Sequence, residues 1–91
     1  MPKSKTNFVY ILECSDKTLY TGYTVDIKKR IENHNSEKNG AKYTRVRQPV
    51  KLIYVEKFET KSEALKREHE IKKLSRSKKL ELIKQNPNQL T

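Results

Sequence analysis

Apolar positions along this chain follow two rhythms. Phe8 to Leu12 is a continuous apolar run of strand length with apolar residues on both alternating faces, which predicts a central β-strand. Ser15-Asp16-Lys17 carries turn chemistry, and Thr18 to Thr24, rich in threonine and tyrosine, predicts a second strand paired with the first as a hairpin. The rhythm then changes. Ile27, Arg30, Ile31 and His34 fall at i, i+3, i+4 and i+7, one face of a helix predicted from Val25 to about Lys38. Thr24 or Asp26 suits its start, and Asn39-Gly40 suits its stop. Ala41 to Pro49 reads as a basic loop and Val50 to Phe58 as a third strand. Thr60 and Glu63 form a capping-box pattern that opens a helix with an inner face of Ala64, Leu65, Glu68, Ile71 and Lys72. Ser75 to Ser77 interrupts it and starts a last helix through about Gln85, with Leu80 and Ile83 inward. Asn86-Pro87 ends that helix.

This order predicts an α+β domain, a small antiparallel sheet covered by helices. It spans residues 7–85, with short tails at 1–6 and 86–91. The pairing of the third strand is not legible.

Several polar residues stand where a small domain needs apolar ones. Burying a polar or charged group costs free energy unless a partner compensates. Arg30 lies between Ile27 and Ile31 on the face that should meet the sheet. It either packs its stem and sends its head to water, or fixes a guanidinium that binds phosphate oxygens through paired donors. His34 is one turn further on, either a helix-end histidine or a second phosphate-binding or nucleophile-orienting group. Tyr10 and Tyr20 share a face of the sheet if the hairpin loop has an odd number of residues. They are core packing, or phenols whose neighbouring cation eases loss of the proton, so that one acts as general base toward water. Glu68 is the only carboxylate on the inner face of its helix. It pairs with Lys72 at i+4, or holds one magnesium ion, which needs few protein ligands. Gly22 inside a strand marks a bulge or a close approach.

Composition adds a partner. Charged residues make up 35% of the chain, and 21 lysines and arginines against 11 acids leave a net charge of +10, which favours a polyanion. Nucleic acid is the first candidate. Two runs contain no acid: Lys38 to Lys51, with Lys42, Arg45 and Arg47, and Lys72 to Lys79, with Lys73 and Arg76. Each run alone reads as a solvated face; together they favour phosphate contact. Cys14 is the one cysteine, which excludes an intrachain disulfide and a cysteine-cluster zinc site and suits a buried, inert thiol. No segment is apolar enough to span a membrane, and the start lacks a signal-peptide apolar region, so a cytoplasmic setting is expected. The residues identify no protein partner.

Phe8-Val9-Tyr10, Tyr20-Thr21-Gly22, Arg30 with His34, and Ala64-Leu65-Lys66-Arg67-Glu68 occur in this order, and the combination resembles the GIY-YIG nuclease domain over about Asn7 to Leu82. The short length resembles the small bacterial branch related to the nuclease domain of the excision-repair subunit UvrC. The resemblance implies a three-stranded antiparallel sheet flanked by helices and a single-metal hydrolysis of DNA with Mg2+ or Mn2+. It implies Tyr10, Tyr20, Arg30 and His34 as catalytic residues, Glu68 as metal ligand and Gly22 as a motif-structural position. Tyr10 is the expected base and Tyr20 its partner, with the reverse assignment open. Two departures stand out. Phe8 replaces the first glycine of the motif, and Tyr23 stands where the excision-repair relatives have a lysine. The expected function is a metal-dependent DNA endonuclease, structure- or single-strand-directed, in repair or processing. The alternative is a nucleic-acid-binding module, for DNA or RNA, that keeps the fold without turnover.

Overall fold

The computed structural model describes residues 6–35 and 48–85. β1 (Asn7–Glu13) lies between its two partners in a three-stranded sheet of order β2-β1-β3, with β2 (Leu19–Thr24) and β3 (Lys51–Phe58) both antiparallel to it. The continuous apolar run of β1 follows from this position. Val9, Ile11 and Leu12 are fully buried and Tyr10 nearly so, because helices cover both faces of the central strand. The third strand, whose neighbour the residues did not disclose, returns along the far side of β1, with a register shift between Ile11 and Leu12.

One face carries Tyr10 and Leu12, with Phe8, Tyr20 and Leu52 beside them. It is closed by Ile27 and Ile31 of α1 (Ile27–His34). The other carries Val9, Ile11 and Tyr54 under Ala64 and Ile71 of α2 (Lys61–Lys72), and Leu82 and Ile83 of α3 (Arg76–Gln85) pack against it. Local chemistry sets the ends. Asp26 caps α1 by accepting from the Lys29 amide at 3.1 Å. Thr60 caps α2 by accepting from the Glu63 amide at 3.1 Å, while its own hydroxyl donates to the Glu63 carboxylate at 3.0 Å. Ser75 accepts from the Lys78 amide at the start of α3. In the hairpin turn Asp16 accepts from both the amide and the hydroxyl of Thr18, and Lys17 takes a left-handed backbone with φ 70°.

Two expected inner positions face outward: Leu65 is 40% and Leu80 43% exposed. Lys72 is exposed as well. The layer over Val9 and Ile11 needs only a narrow stripe from each helix, filled by Ala64 and Ile71 on α2 and by Leu82 and Ile83 on α3. The expected tails lie almost wholly outside the described residues, as does most of the basic loop with Lys42, Arg45 and Arg47. No described helix is long and apolar enough to cross a membrane.

Candidate active site

Strand register builds the first half of the site. Tyr10 pairs with Gly22 and Leu12 with Tyr20, so both tyrosines stand on the face under α1, on neighbouring strands. The loop between the paired residues Glu13 and Leu19 has an odd number of residues, as a shared face requires. Gly22 has an ordinary backbone, so its conformational freedom is not what the site uses. Space is. A Cβ there would lie 2.5 Å from Tyr10 Cζ and would also overlap the phenol oxygen. The Tyr10 ring leans across the neighbouring strand into the gap that Gly22 leaves.

Helical spacing builds the second half. Arg30 and His34, one turn apart on α1, both reach Tyr10. Arg30 Nε donates to the Tyr10 hydroxyl oxygen at 3.3 Å, and His34 Nε2 lies 2.9 Å from the same oxygen. Since Arg30 supplies a donor, the phenol's own proton points to His34, which places the imidazole proton on Nδ1. The His34 ring meets Tyr20 edge-on at 5.1 Å between centroids, and Tyr10 edge-on at 5.9 Å. The hydrogen bond to Tyr10 raises the Arg30 pKa against the opposing effect of burial, and the nearby Tyr20 phenol adds to the rise. One guanidinium thus bonds the Tyr10 phenol and feels the Tyr20 phenol, with a neutral imidazole packed against both rings.

Burial decides the protonation states. His34 is fully buried, and desolvation, then the Arg30 charge, lowers its pKa from 6.5 to about 4. It is neutral near pH 7. Tyr10 corrects an expectation. A cation beside a phenol favours the phenolate, but burial outweighs it: the Tyr10 pKa rises to about 12, although the Arg30 hydrogen bond and charge pull it down. Tyr20 is only partly buried.

Glu68 comes from the opposite layer. α2 packs on the Val9 face, yet the Glu68 charge is felt at the Tyr10 hydroxyl, where it opposes ionisation. β2 is an edge strand, so at that edge a single strand separates the two layers. The Glu68 side chain is 18% exposed and its Oε2 lies 3.4 Å from Lys72 Nζ, so the i, i+4 pair foreseen from spacing forms. Among the described residues no three His, Cys, Asp or Glu side chains gather as a metal cage. A lone, partly covered carboxylate does not fit a resident zinc or calcium ion; it fits a hydrated magnesium ion that takes its other ligands from water and a phosphate.

Tyr23, the departure from the excision-repair pattern, is on the other face. Its hydroxyl donates to Asn7 Oδ1 at 2.7 Å, Asn7 Nδ2 donates to the Glu59 carbonyl, and the ring packs against the Val9 and Ile11 cluster. Its position is structural. Phe8 packs against the Tyr10 cluster. Lys72, Lys73 and Arg76 lie at the end of α2 and the start of α3, exposed.

Three supports escaped the pattern. Asn35 and Val50 pair reciprocally, with Val50 N donating to Asn35 Oδ1 at 2.8 Å and Asn35 Nδ2 to the Val50 carbonyl at 3.3 Å. Gln48 Nε2 donates to the His34 carbonyl at 2.8 Å, so the end of α1 is tied to the entrance of β3. Across the sheet, Arg67 grips both oxygens of Glu56 and reaches Glu70, while the Tyr54 hydroxyl donates to Glu56. These pairs join residues distant in sequence and have no short-range sequence signal.

Comparison with known proteins gives the family and the fold. The family described as GIY-YIG catalytic domain matches residues 6–81. A UPF0213 protein of Syntrophus aciditrophicus is 63% identical over 84 residues, covering 92% of this chain and 97% of that protein. The solution NMR structure of a UPF0213 protein from Bacillus halodurans is 48% identical with a TM-score of 0.60, covering 92% of this chain and 88% of that one. A second NMR structure, of an E. faecalis protein, is 45% identical with a TM-score of 0.63, covering 93% and 90%. The tyrosines, arginine and histidine that meet under α1 and the glutamate of α2 all lie within the matched span, and the chain belongs to the GIY-YIG family, whose domains are generally endonucleases.

Proposed function

We propose that this protein is a divalent-metal-dependent endonuclease that hydrolyses phosphodiester bonds in DNA, acting on single strands or structured junctions in repair or processing. One observation carries this reading: Arg30 and a neutral His34 both bond the Tyr10 hydroxyl, with Tyr20 packed against the same imidazole, on a face that α1 only partly closes. Pure packing would not need a guanidinium there.

The two phenols divide the work by exposure. Tyr10 is 1% exposed and hard to ionise, so it serves as a fixed anchor: its hydroxyl donates a hydrogen bond to His34 and accepts one from Arg30. Tyr20, partly exposed, is the phenol that water reaches; once its own proton has left to solvent, its oxygen takes a proton from the attacking water as the new P–O bond forms, while the opposite P–O bond breaks and the departing oxygen takes a proton from solvent. This is the reverse of the first assignment expected from the motif. Arg30, already bonded to Tyr10, offers its remaining N–H donors to a non-bridging phosphate oxygen whose charge grows in the transition state. His34 keeps Arg30 and Tyr10 in register, because a protonated imidazole would repel the guanidinium. Glu68 would hold the metal, releasing Lys72. A bound Mg2+ or Mn2+ supplies charge neutralisation on the phosphate and stabilisation of the leaving oxygen.

The test is cleavage of single-stranded, nicked and branched DNA with Mg2+ or Mn2+ by the protein, Arg30→Ala and Glu68→Gln. Cleavage by the unaltered protein, lost in both variants while binding persists, is the expected result. Binding without cleavage by any form would leave the alternative, a binding module. Cleavage that survives both substitutions would remove the site from the reaction.

A further inference from the structure

The hairpin turn and the start of α3 enclose a second basic feature away from the tyrosines. Thr18, Leu19, Arg76 and Lys79 line a groove of about 120 Å³, well above the roughly 10–15 Å³ that admits one water. Arg76 does not simply wave in solvent. Its Nη1 donates to the Lys17 carbonyl at 2.7 Å, across 59 residues of sequence, and this fixes the guanidinium at the turn. The left-handed backbone at Lys17 belongs to the same turn. Lys79 lies one turn further along α3 and is half-buried, so both cations flank the groove.

We infer that this groove binds a backbone phosphate of the same nucleic-acid strand whose scissile phosphate lies at Tyr20. The inference rests on the nucleic-acid reading above and adds a separate contact to it. Reach supports it. Thr18 precedes Tyr20 by two residues, so their Cα atoms are at most about 7 Å apart, and a strand rounding the hairpin end of β2 would pass from the groove, beside Leu19 on the α3 side, to Tyr20 on the α1 side. Chemistry supports it too. An arginine with one donor committed still presents a fork that matches phosphate oxygens, and a neighbouring lysine adds a point charge. Thr18 contributes a wall rather than a donor, because its hydroxyl already donates to Asp16 Oδ1. That carboxylate opposes an anion, but it already accepts from Thr18 twice, and two cations line the groove. The basic run from Lys72 to Lys79 therefore has a specific centre rather than a uniform spread of charge.

The experiment measures binding of a fluorescent single-stranded DNA across a salt series, for the protein, Arg76→Gln/Lys79→Gln, and Lys66→Gln/Lys84→Gln as a control with the same loss of charge on exposed helix positions. A strand phosphate released from contact lowers the magnitude of the slope of log K against log salt by about 0.7. The groove variant should show that drop and bind about 3- to 10-fold more weakly at low salt, with the control close to the unaltered protein. Lys79→Glu, which keeps the Arg76–Lys17 bond, should weaken binding further; far-UV circular dichroism identifies any variant that fails to fold. Equal losses in groove and control variants, or no loss with Lys79→Glu, overturn the inference. The two readings fail separately. Binding that depends on the groove without any cleavage sinks the hydrolase and keeps the groove, whereas cleavage with an unchanged salt slope in the groove variant does the opposite.

Discussion

Substituting Gly22 by alanine asks whether the Tyr10 ring is held as described. Outside a special backbone conformation, alanine in a strand should be neutral or stabilise by about 0.5–1 kcal/mol, since glycine loses more chain entropy on folding. Gly22 has no positive φ, so nothing in the backbone opposes the change. The ring does. The new Cβ would stand 2.5 Å from Tyr10 Cζ against an ordinary contact of 3.4 Å, so the ring must retreat by nearly 1 Å. It has no free direction: Tyr10 is 1% exposed, packed with Leu12 and Val55, and tied to Arg30 and His34. Adding one carbon to such a core costs about 1–3 kcal/mol, and moving the hydroxyl away from His34 leaves a buried imidazole nitrogen unmatched. Urea unfolding followed by far-UV circular dichroism gives the number. Gly22→Ala is expected to lose about 1–3 kcal/mol, and Tyr10→Leu/Gly22→Ala to lose less than the sum of its single substitutions, because the shorter side chain vacates the space. A neutral or stabilising Gly22→Ala, or strict additivity with Tyr10→Leu, would refute the claim that Gly22 makes room for the ring.

His34 gives the protein an acid-labile element. Its folded pKa of about 4 lies below the unfolded value near 6.5, so the unfolded chain binds the extra proton first and stability falls as pH drops through that window. The loss reaches roughly 3 kcal/mol by pH 4, and urea midpoints at pH 7, 5.5 and 4.5 should show it, with a flatter profile for His34→Gln. Among the described residues Thr21 Oγ1 is buried without a hydrogen-bond partner, so Thr21→Val should raise stability by about 1 kcal/mol; any loss in thermal unfolding would mean that the hydroxyl has a partner. Glu56→Gln should cost about 1 kcal/mol by urea unfolding, since Arg67 then keeps a charged partner only in the exposed Glu70; an unchanged midpoint would show that the pair merely decorates the surface.

The elements that position the site were largely readable from residues. β1 announced itself as central because a strand covered on both faces must be apolar on both, and α1 announced its face because Ile27 and Ile31 bracket Arg30 at helical spacing. Asp26, Thr60 and Ser75 mark helix starts through bonds that span only a few residues. What could not be read depends on contacts distant in sequence. The return of β3 to the far side of β1, the Asn35–Val50 pair and the Glu56–Arg67 grip leave no local trace. Leu65 and Leu80 misled because spacing alone cannot say how wide a stripe the sheet leaves to cover. The proximity of Arg30 to the phenols was legible, but its effect on Tyr10 was not, since the sign depends on how deeply the phenol is buried. Glu68 could be singled out as the one carboxylate on the expected inner face; that it belongs to the layer opposite α1 required the fold.

The chemistry assigned to the two phenols is tested most directly by single-turnover cleavage of DNA by Tyr20→Phe and Tyr10→Phe, with binding measured alongside. If Tyr20 receives the proton of the attacking water, Tyr20→Phe loses about 100-fold or more in rate at unchanged affinity, whereas Tyr10→Phe is less stable and retains part of its rate. A Tyr20→Phe protein that cleaves as fast as the unaltered one would contradict the account.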